Sequence, residues 1–319
     1  MDGGTLYQLR NLVNRRNVVN VPKNNVAACE EFFLLVVEAH ILAAAMSVFS
    51  MANLSDVPSK TFFPDGSDDL DSLQKRQLLM VAVQAITDKF VNISVPDQKK
   101  KKSKNHDNVQ AYASQVLTMG LLLMEFNDAI REGDGCRILR CWRFFILIFK
   151  ATKRKNYAIE AFTLLAQYQF LLSPRLAYQL KWNRTVNVHG RPGRNIPCDL
   201  HMEHLNRVCK DAISSLGANV SERGFERVGK CVGKLEKITQ NFDRLHGVAR
   251  QSDKHAHRSD VNDLKKMLKQ LEVSKVFSTN CGRQHSHFPK FEANILNTID
   301  MKKLKLWLNE QYQKLCTYH

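Results

Sequence analysis

The chain has 319 residues, of which 44% are hydrophobic, so it can bury a core, which excludes a globally disordered protein. Its formal net charge of +16 is uneven, because residues 1–98 hold 8 Lys and Arg against 11 Asp and Glu, and the remainder is strongly basic. Such an excess of Lys and Arg is typical of proteins that bind a polyanion, above all nucleic acid. A basic surface that is merely solvated gives the same excess. The 8 cysteines contain no CxxC pair, and no apolar segment follows a basic start, so we expect an intracellular protein with reduced thiols.

The first region, residues 1–95, is predicted to be helical. An apolar run at residues 32–51 predicts a helix over about residues 27–53, and helical spacing of apolar residues returns over residues 70–91. The run is long enough for a bilayer span, but Glu38 and His40 lie near its middle, where a charge costs about 2.5 kcal/mol or more. We therefore expect a buried core helix and no membrane partner.

Residues 96–108 are predicted to be an exposed basic linker. A proline opens this segment and no apolar residue interrupts it. Its lysine run has the composition of a nuclear localisation signal, which importins read by charge, although a lysine run in an exposed loop also occurs by chance. The run consists of Lys99, Lys100, Lys101, Lys102 and Lys104.

Residues 109–246 are predicted to form a central basic helical domain, and residues 247–319 a C-terminal helical region. Periodicity and breakers predict helices at residues 109–130, 136–149, 156–172, 175–182, 199–217, 221–245, 261–273 and 298–315. Asp199 and Ser221 are predicted to cap two of these helices, and residues 185–188 are compatible with a short strand. The expected fold class is all-α, predominantly helical and multi-helix bundle-like.

Positive charge is concentrated in residues 134–234, which hold 18 Lys and Arg against 7 Asp and Glu. The loop at residues 184–197 combines glycines and prolines with three arginines, whose guanidinium groups can approach phosphate oxygens bidentately. A second basic cluster lies at residues 153–155. The residues predicted to contact nucleic acid are Arg184, Arg191, Arg194, Lys153, Arg154 and Lys155.

The segment CDLHMEHLNR, residues 198–207, gathers a thiol, imidazoles and carboxylates at the start of a predicted helix. Glu203 lies about 140° from the centre of that helix's apolar stripe, beside Arg207. A solvated Glu203–Arg207 pair is therefore the plainer interpretation, and a metal-site carboxylate is the alternative.

A second metal-like cluster contains Cys281, His285 and His287. Its C-x3-H-x-H spacing matches no standard zinc signature, although adding His255 and His257 would allow a set of four ligands. We expect a polar loop here and no metal.

The central sequence carries a family resemblance. The run GDGCRILRCWRFFILIFKATKRKNYAIEAFTLLAQYQFLLSPRLAYQLKWNRTVNVHGRPGRNIPCDLHMEHLNR at residues 133–207 is similar to the domain of unknown function family 6589, as are TLYQLRNLVNRRNVV near the start and GRQHSHFP at residues 282–289. Members of that family are transposon-like proteins of animals and fungi. The resemblance implies a mobile-element origin, and an extension of it is descent from an RNase H-like transposase, which holds two metal ions with three carboxylates.

In that extension Glu203 would be the last carboxylate, with Mg²⁺ or Mn²⁺ as the cofactor. Family members are typically longer at the N-terminus, so the chain looks like a C-terminal fragment, and we expect no complete metal site and no cofactor. The leading hypothesis is a transposon-derived module that binds nucleic acid without independent catalysis. The alternatives are a helical protein-interaction scaffold and, third, a remnant of metal-dependent phosphodiester chemistry.

Overall fold

The computed structural model describes residues 26–60, 70–91, 107–188, 190–214, 221–245, 260–286, 288, 291 and 294–317. This part of the chain is predominantly helical, which confirms the predicted fold class. The helices are α1 (Val26–Phe49), α2 (Ser72–Phe90), α3 (Asn108–Glu132), α4 (Gly135–Ala151), α5 (Lys155–Ala166), α6 (Pro174–Trp182), α7 (Cys198–Ser214), α8 (Glu222–Leu245), α9 (Val261–Val273) and α10 (Met301–Thr317). A π-helical turn (Gln167–Leu171) continues α5, and a 3-10 turn (Ile295–Thr298) precedes α10.

The chain divides into two compact units. Unit 1 contains residues 1–124, 143–162 and 258–319, and unit 2 contains residues 125–142 and 163–257. Both units are therefore assembled from segments that are distant in sequence. The predicted sequence regions 1–95, 96–108, 109–246 and 247–319 stay a prediction.

The core of unit 1 forms around α1, which is apolar on nearly all its faces, as expected of a helix buried from several sides. Helices α2 and α9 pack against it. The buried cluster consists of Ala43, Ala44, Met46, Val48, Phe90, Ala113, Leu117, Leu268, Val276 and Phe277.

Within the described residues, the segment Cys29–Phe49 is long and apolar enough to cross a membrane, and half of it is buried inside the protein. Its two polar residues near the middle differ in environment. Glu38 is exposed, whereas His40 is buried and hydrogen-bonded through Nδ1 to the Val36 carbonyl at 2.7 Å. Burial lowers the pKa of His40 more than that hydrogen bond raises it, so the neutral imidazole is favoured and the core carries no charge there.

The predicted exposure of the linker is wrong at its last two residues, because Asp107 and Asn108 are buried. The Asp107 carboxylate caps α3 by accepting hydrogen bonds from the amides of Val109 and Gln110, both at 3.0 Å. It also forms an ion pair with Arg283 at 2.8 Å. Two residues assigned to the linker therefore anchor the start of a helix.

In unit 2, α7 packs against α8. The predicted cap at Ser221 is confirmed, since its hydroxyl accepts a hydrogen bond from the Gly224 amide at 3.2 Å. The predicted cap at Asp199 is wrong, because α7 already begins at Cys198 and Asp199 lies inside its first turn. The Cys198 amide instead donates to the Arg184 carbonyl at 3.0 Å, so the helix starts directly from a strand.

The predicted helix at residues 156–172 is not uniform, since α-helical pairing gives way to the π-helical turn after Ala166. Pro174 then begins α6, with Ser173 at its N-cap, although the Ser173 side chain forms no capping hydrogen bond. The predicted terminal helix at residues 298–315 is observed as the 3-10 turn followed by α10. The lysine run at residues 99–104, His255, His257 and His287 lie outside the described residues.

Candidate nucleic-acid interface

The arginine-rich loop of unit 2 is a small antiparallel hairpin. Strand β1 (Thr185–Val186) pairs with β2 (Ile196–Pro197), with Thr185 opposite Pro197 and Val186 opposite Ile196. The predicted strand at residues 185–188 is shorter than expected, because Asn187 leaves the ladder to begin the turn. Its side-chain amide donates to the Arg191 carbonyl at 2.7 Å, and its side-chain oxygen accepts from the Arg191 amide at 3.1 Å.

Two of the described residues at the tip of the hairpin lie in the left-handed backbone region, Gly190 with φ 63° and Gly193 with φ 65°. Other residues adopt this conformation only at a cost, which explains why glycines occur at these positions. Arg191 and Arg194 lie beside them and both are exposed. The tip therefore presents two guanidinium groups on a backbone whose turn is fixed by Asn187.

The hairpin is also tied to the end of α3. Asn195 donates to the Arg131 carbonyl twice, from its backbone amide at 3.2 Å and from its side-chain amide at 2.8 Å. These bonds also satisfy a carbonyl at the C-terminus of a helix, where no intrahelical donor remains. The loop is consequently held at its base as well as at its tip.

Arg184 differs from the two arginines of the tip. It lies at the base of the hairpin, half-buried, with its guanidinium carbon 5.9 Å from the centre of the Trp142 ring. A cation over an aromatic face is stabilised by the ring quadrupole. Of the three arginines predicted from the loop, Arg191 and Arg194 are thus the more accessible to a ligand.

A carboxylate reduces the positive charge near the tip. A side-chain carbon at Gly193 would lie 3.5 Å from an oxygen of Glu132, which is exposed.

Arg137 in the same unit is neutralised by two carboxylates, because it forms ion pairs with Glu125 at 2.7 Å and with Asp128 at 2.6 Å. These hydrogen bonds raise the pKa of the Arg137 guanidinium above its usual value, so it stays charged but is committed to its partners.

The second predicted cluster is a tight turn in unit 1 after α4. The Arg154 amide donates to the Phe149 carbonyl at 2.8 Å, and Lys153 has φ 59°, in a region that glycine usually occupies. Lys153, Arg154 and Lys155 are all exposed. Cations are also favourable at the C-terminal end of a helix, so their positions have a structural explanation as well.

Sequence reasoning missed an aromatic and basic face on α6. Tyr178 and Trp182 are four residues apart and both are exposed, and the Lys181 ammonium lies 5.7 Å and 5.0 Å from the centres of their rings. The signal was present in the sequence as an aromatic pair at helical i, i+4 spacing with a lysine beside it.

Of the metal-like cluster around Cys281, the structure describes Cys281 and His285. His285 packs against Tyr112, with ring centres 4.8 Å apart, and its Nδ1 accepts a hydrogen bond from the Phe288 amide at 3.3 Å. Cys281 is exposed. Within the described part of the chain, no group of three or more His, Cys, Asp or Glu side chains is placed to hold a metal ion.

Glu203 is exposed on α7, as its position opposite the apolar stripe predicted. It lines an open surface depression together with Asn206, Arg207, Lys210 and Asp211. The predicted Glu203–Arg207 ion pair does not form between these two described side chains. Solvent competes with such an exposed pair, which explains why the helical spacing alone does not bring the charges together.

Comparison with known proteins assigns the chain to one family. No curated protein and no solved structure matches it. One family model, described as a family of unknown function (DUF6589), matches residues 1–255, which include all of unit 2 that the structure describes. The chain belongs to the DUF6589 family.

Proposed function

We propose that the protein binds nucleic acid through the tip of the unit 2 hairpin and has no catalytic activity of its own. The observation that carries this proposal is the exposure of Arg191 and Arg194 on a backbone fixed by Asn187 and Asn195. A guanidinium donates a planar pair of hydrogen bonds that matches phosphate oxygens. Backbone that hydrogen bonds already hold in place loses little conformational entropy when it binds a ligand.

The overall charge supports the same ligand. Residues 134–234 carry 18 Lys and Arg against 7 Asp and Glu, and residues 134–142 and 163–234 of this segment belong to unit 2. A basic surface attracts a polyanion over a Debye length of about 8 Å at physiological salt. Binding then releases counterions from the phosphates, so affinity falls as the salt concentration rises.

Charge reversal at the tip tests this proposal. In anisotropy titrations with a labelled 20-bp DNA duplex at one low salt concentration, we expect Arg191→Glu with Arg194→Glu to weaken binding by about tenfold or more, because two charge-assisted contacts are lost. The matched control is Lys302→Glu with Lys303→Glu on α10, which changes the net charge equally at two exposed positions.

Glu132 provides a test in which the affinity for nucleic acid should rise. Glu132→Gln removes the carboxylate beside Gly193, so we expect the affinity for the duplex to rise. Equal losses in the two charge-reversal variants would rule out the tip as the contact, and undetectable binding of the unaltered protein at low salt would refute the proposal itself.

The second candidate function is a protein-interaction scaffold, and α2 in unit 1 favours it. This helix exposes a set of large apolar side chains, of a kind that often marks an interface. They are Leu73, Leu79, Met80, Val81 and Val83. A complex formed through them would persist at salt concentrations that release nucleic acid, since burial of apolar surface is not weakened by screening.

The mobile-element origin and the nuclear location are also proposals. The resemblance of residues 133–207 supports the first, and the lysine run at residues 99–104 supports the second. Terminal repeats flanking the genomic locus would establish the origin, and a fluorescent fusion with the five lysines changed to glutamine would test the location.

A further inference from the structure

Helix α6 exposes aromatic rings where a helix surface usually carries polar side chains. Tyr178 is 63% exposed and Trp182 is 37% exposed, and Phe170 in the preceding π-helical turn is 70% exposed. Exposed aromatic rings of this size are typical of surfaces that bind a ligand with one apolar face.

Two of these rings share a cation. The ring centres of Tyr178 and Trp182 are 6.2 Å apart, with planes inclined at 54°, and the Lys181 ammonium lies over both rings. The spacing i, i+3, i+4 places the three side chains on neighbouring positions of one helical surface. The helix itself therefore combines aromatic faces with a positive charge.

The backbone beneath these side chains is held rigidly. Gly135 is buried, and a side-chain carbon at that position would overlap the Lys181 carbonyl, so the start of α4 lies directly against the end of α6. The Asn183 amide also donates to the Gln179 carbonyl at 2.9 Å, which completes the last turn. The rings consequently project from a fixed support.

Charge decides which ligand fits. The sequence of α6 contains Arg175 and Lys181 and no carboxylate, and Arg184 follows it at the base of the hairpin. Aromatic faces next to cations match a ligand that alternates π-faces with phosphates, which describes a single-stranded nucleic acid. In a duplex the bases are paired and stacked on each other, so their faces are not available to a protein ring.

We propose that Tyr178, Lys181 and Trp182 form a stacking platform for unpaired bases, and that unit 2 binds single-stranded nucleic acid more tightly than a duplex. This inference rests on the proposed function and specifies its ligand. The rings of Tyr178 and Trp182 stack on bases, and the ammonium of Lys181 pairs with the backbone between them. The tip arginines hold phosphates further along the strand.

The test compares a labelled 20-nucleotide oligothymidylate with a 20-bp duplex, using the full chain. We expect Tyr178→Ala to weaken binding of the oligothymidylate by about tenfold and to leave duplex binding within about twofold, because stacking is available only to unpaired bases. Tyr178→Phe keeps the ring and should bind like the unaltered protein. The matched control is Tyr312→Ala on α10, which removes another exposed tyrosine.

Trp182 gives an independent optical readout. Stacking on a base quenches indole emission, so the oligothymidylate should lower the tryptophan fluorescence of the unaltered protein, and Trp182→Phe should abolish that change while retaining most of the affinity. If Tyr178→Ala does not fold, Tyr178→Leu removes the ring while keeping an apolar side chain of similar size, and the same loss is expected.

These experiments distinguish failure of the stacking platform from failure of the hairpin proposal. If Tyr178→Ala and Tyr178→Leu bind the oligothymidylate as tightly as the unaltered protein, the stacking platform is refuted, and the hairpin proposal survives when tip charge reversal still weakens binding. If neither nucleic acid binds at low salt, both proposals fall together.

Discussion

At the scale of single residues, Asp107 joins separate parts of unit 1. Its carboxylate accepts from the guanidinium of Arg283, from the amide of Asn280 at 2.8 Å, and from the first amides of α3. Its side chain is 3% exposed. Burial alone would raise the pKa of Asp107, but the hydrogen bonds from Arg283, Gln110 and Asn280 together outweigh it, so the pKa lies below its usual value.

We expect Asp107→Asn to lower the free energy of unfolding by about 2 to 3 kcal/mol, because Arg283 loses a buried ionic partner. The control is Asp300→Asn, since Asp300 also caps a helix, through the amides of Lys302 and Lys303, but its carboxylate is exposed. Asparagine caps a helix as well as aspartate does, so this control should change the stability by less than about 0.5 kcal/mol. Urea denaturation monitored by circular dichroism measures both.

The pH dependence of the stability that Asp107 contributes follows from the direction of its pKa shift. A carboxyl group whose pKa is lower in the folded state contributes its stability above the unfolded pKa of about 3.9 and loses it as the pH falls through the folded pKa. The stability difference between the unaltered protein and Asp107→Asn should therefore be constant above about pH 5 and shrink below about pH 4. A difference that stays constant down to pH 2 would contradict the depressed pKa.

Glu203 decides between a relic of a metal site and an ordinary helix surface. Because it is exposed and forms no ion pair with Arg207, Glu203→Gln should change the stability by less than about 0.5 kcal/mol. Mn²⁺ should raise the melting temperature of neither the unaltered protein nor Glu203→Gln, since a ligand stabilises only a fold that binds it. A Mn²⁺-dependent shift that disappears in Glu203→Gln would overturn the view that the chain lacks catalysis.

At the scale of elements, the contact between α4 and α6 depends on one glycine. Gly135→Ala would press a methyl group into the Lys181 carbonyl, so we expect it to destabilise the fold by about 1 to 3 kcal/mol although alanine favours helices. The matched control is Gly229→Ala within α8, where nothing lies within 4 Å of the added carbon. That change should stabilise the protein by about 0.5 to 1 kcal/mol, and equal melting-temperature shifts in the two variants would show that Gly135 is not packed as described.

Helix periodicity predicted the elements well and their ends less well. The spacing of apolar residues predicted α9 at its observed bounds and α1 to within a few residues, because both follow from local sequence. The burial of Asp107 could not be predicted, since its partner Arg283 is far away in sequence. The fit of Gly135 against Lys181 likewise depends on tertiary packing, which a periodic pattern does not encode.

At the scale of the whole molecule, composition predicted a basic protein and the glycine and proline content predicted an accessible arginine loop. Sequence reasoning could not separate Arg184, which lies over Trp142, from the exposed Arg191 and Arg194, because that difference arises from contacts with α4. It also counted Arg137 as available positive charge, whereas this residue is held by two carboxylates. Net charge thus counts every cation, and the structure shows which of these side chains are exposed and which are paired with carboxylates.

The salt dependence of duplex binding tests the central claim most directly. For a 20-bp duplex, the slope of log affinity against log salt concentration changes by about 0.9 for each phosphate contact, so Arg191→Gln with Arg194→Gln should make the slope about 1.8 shallower than in the unaltered protein. Lys302→Gln with Lys303→Gln should leave it unchanged. Identical slopes for the unaltered protein and the tip variant would contradict the claim that these two arginines bind nucleic-acid phosphates.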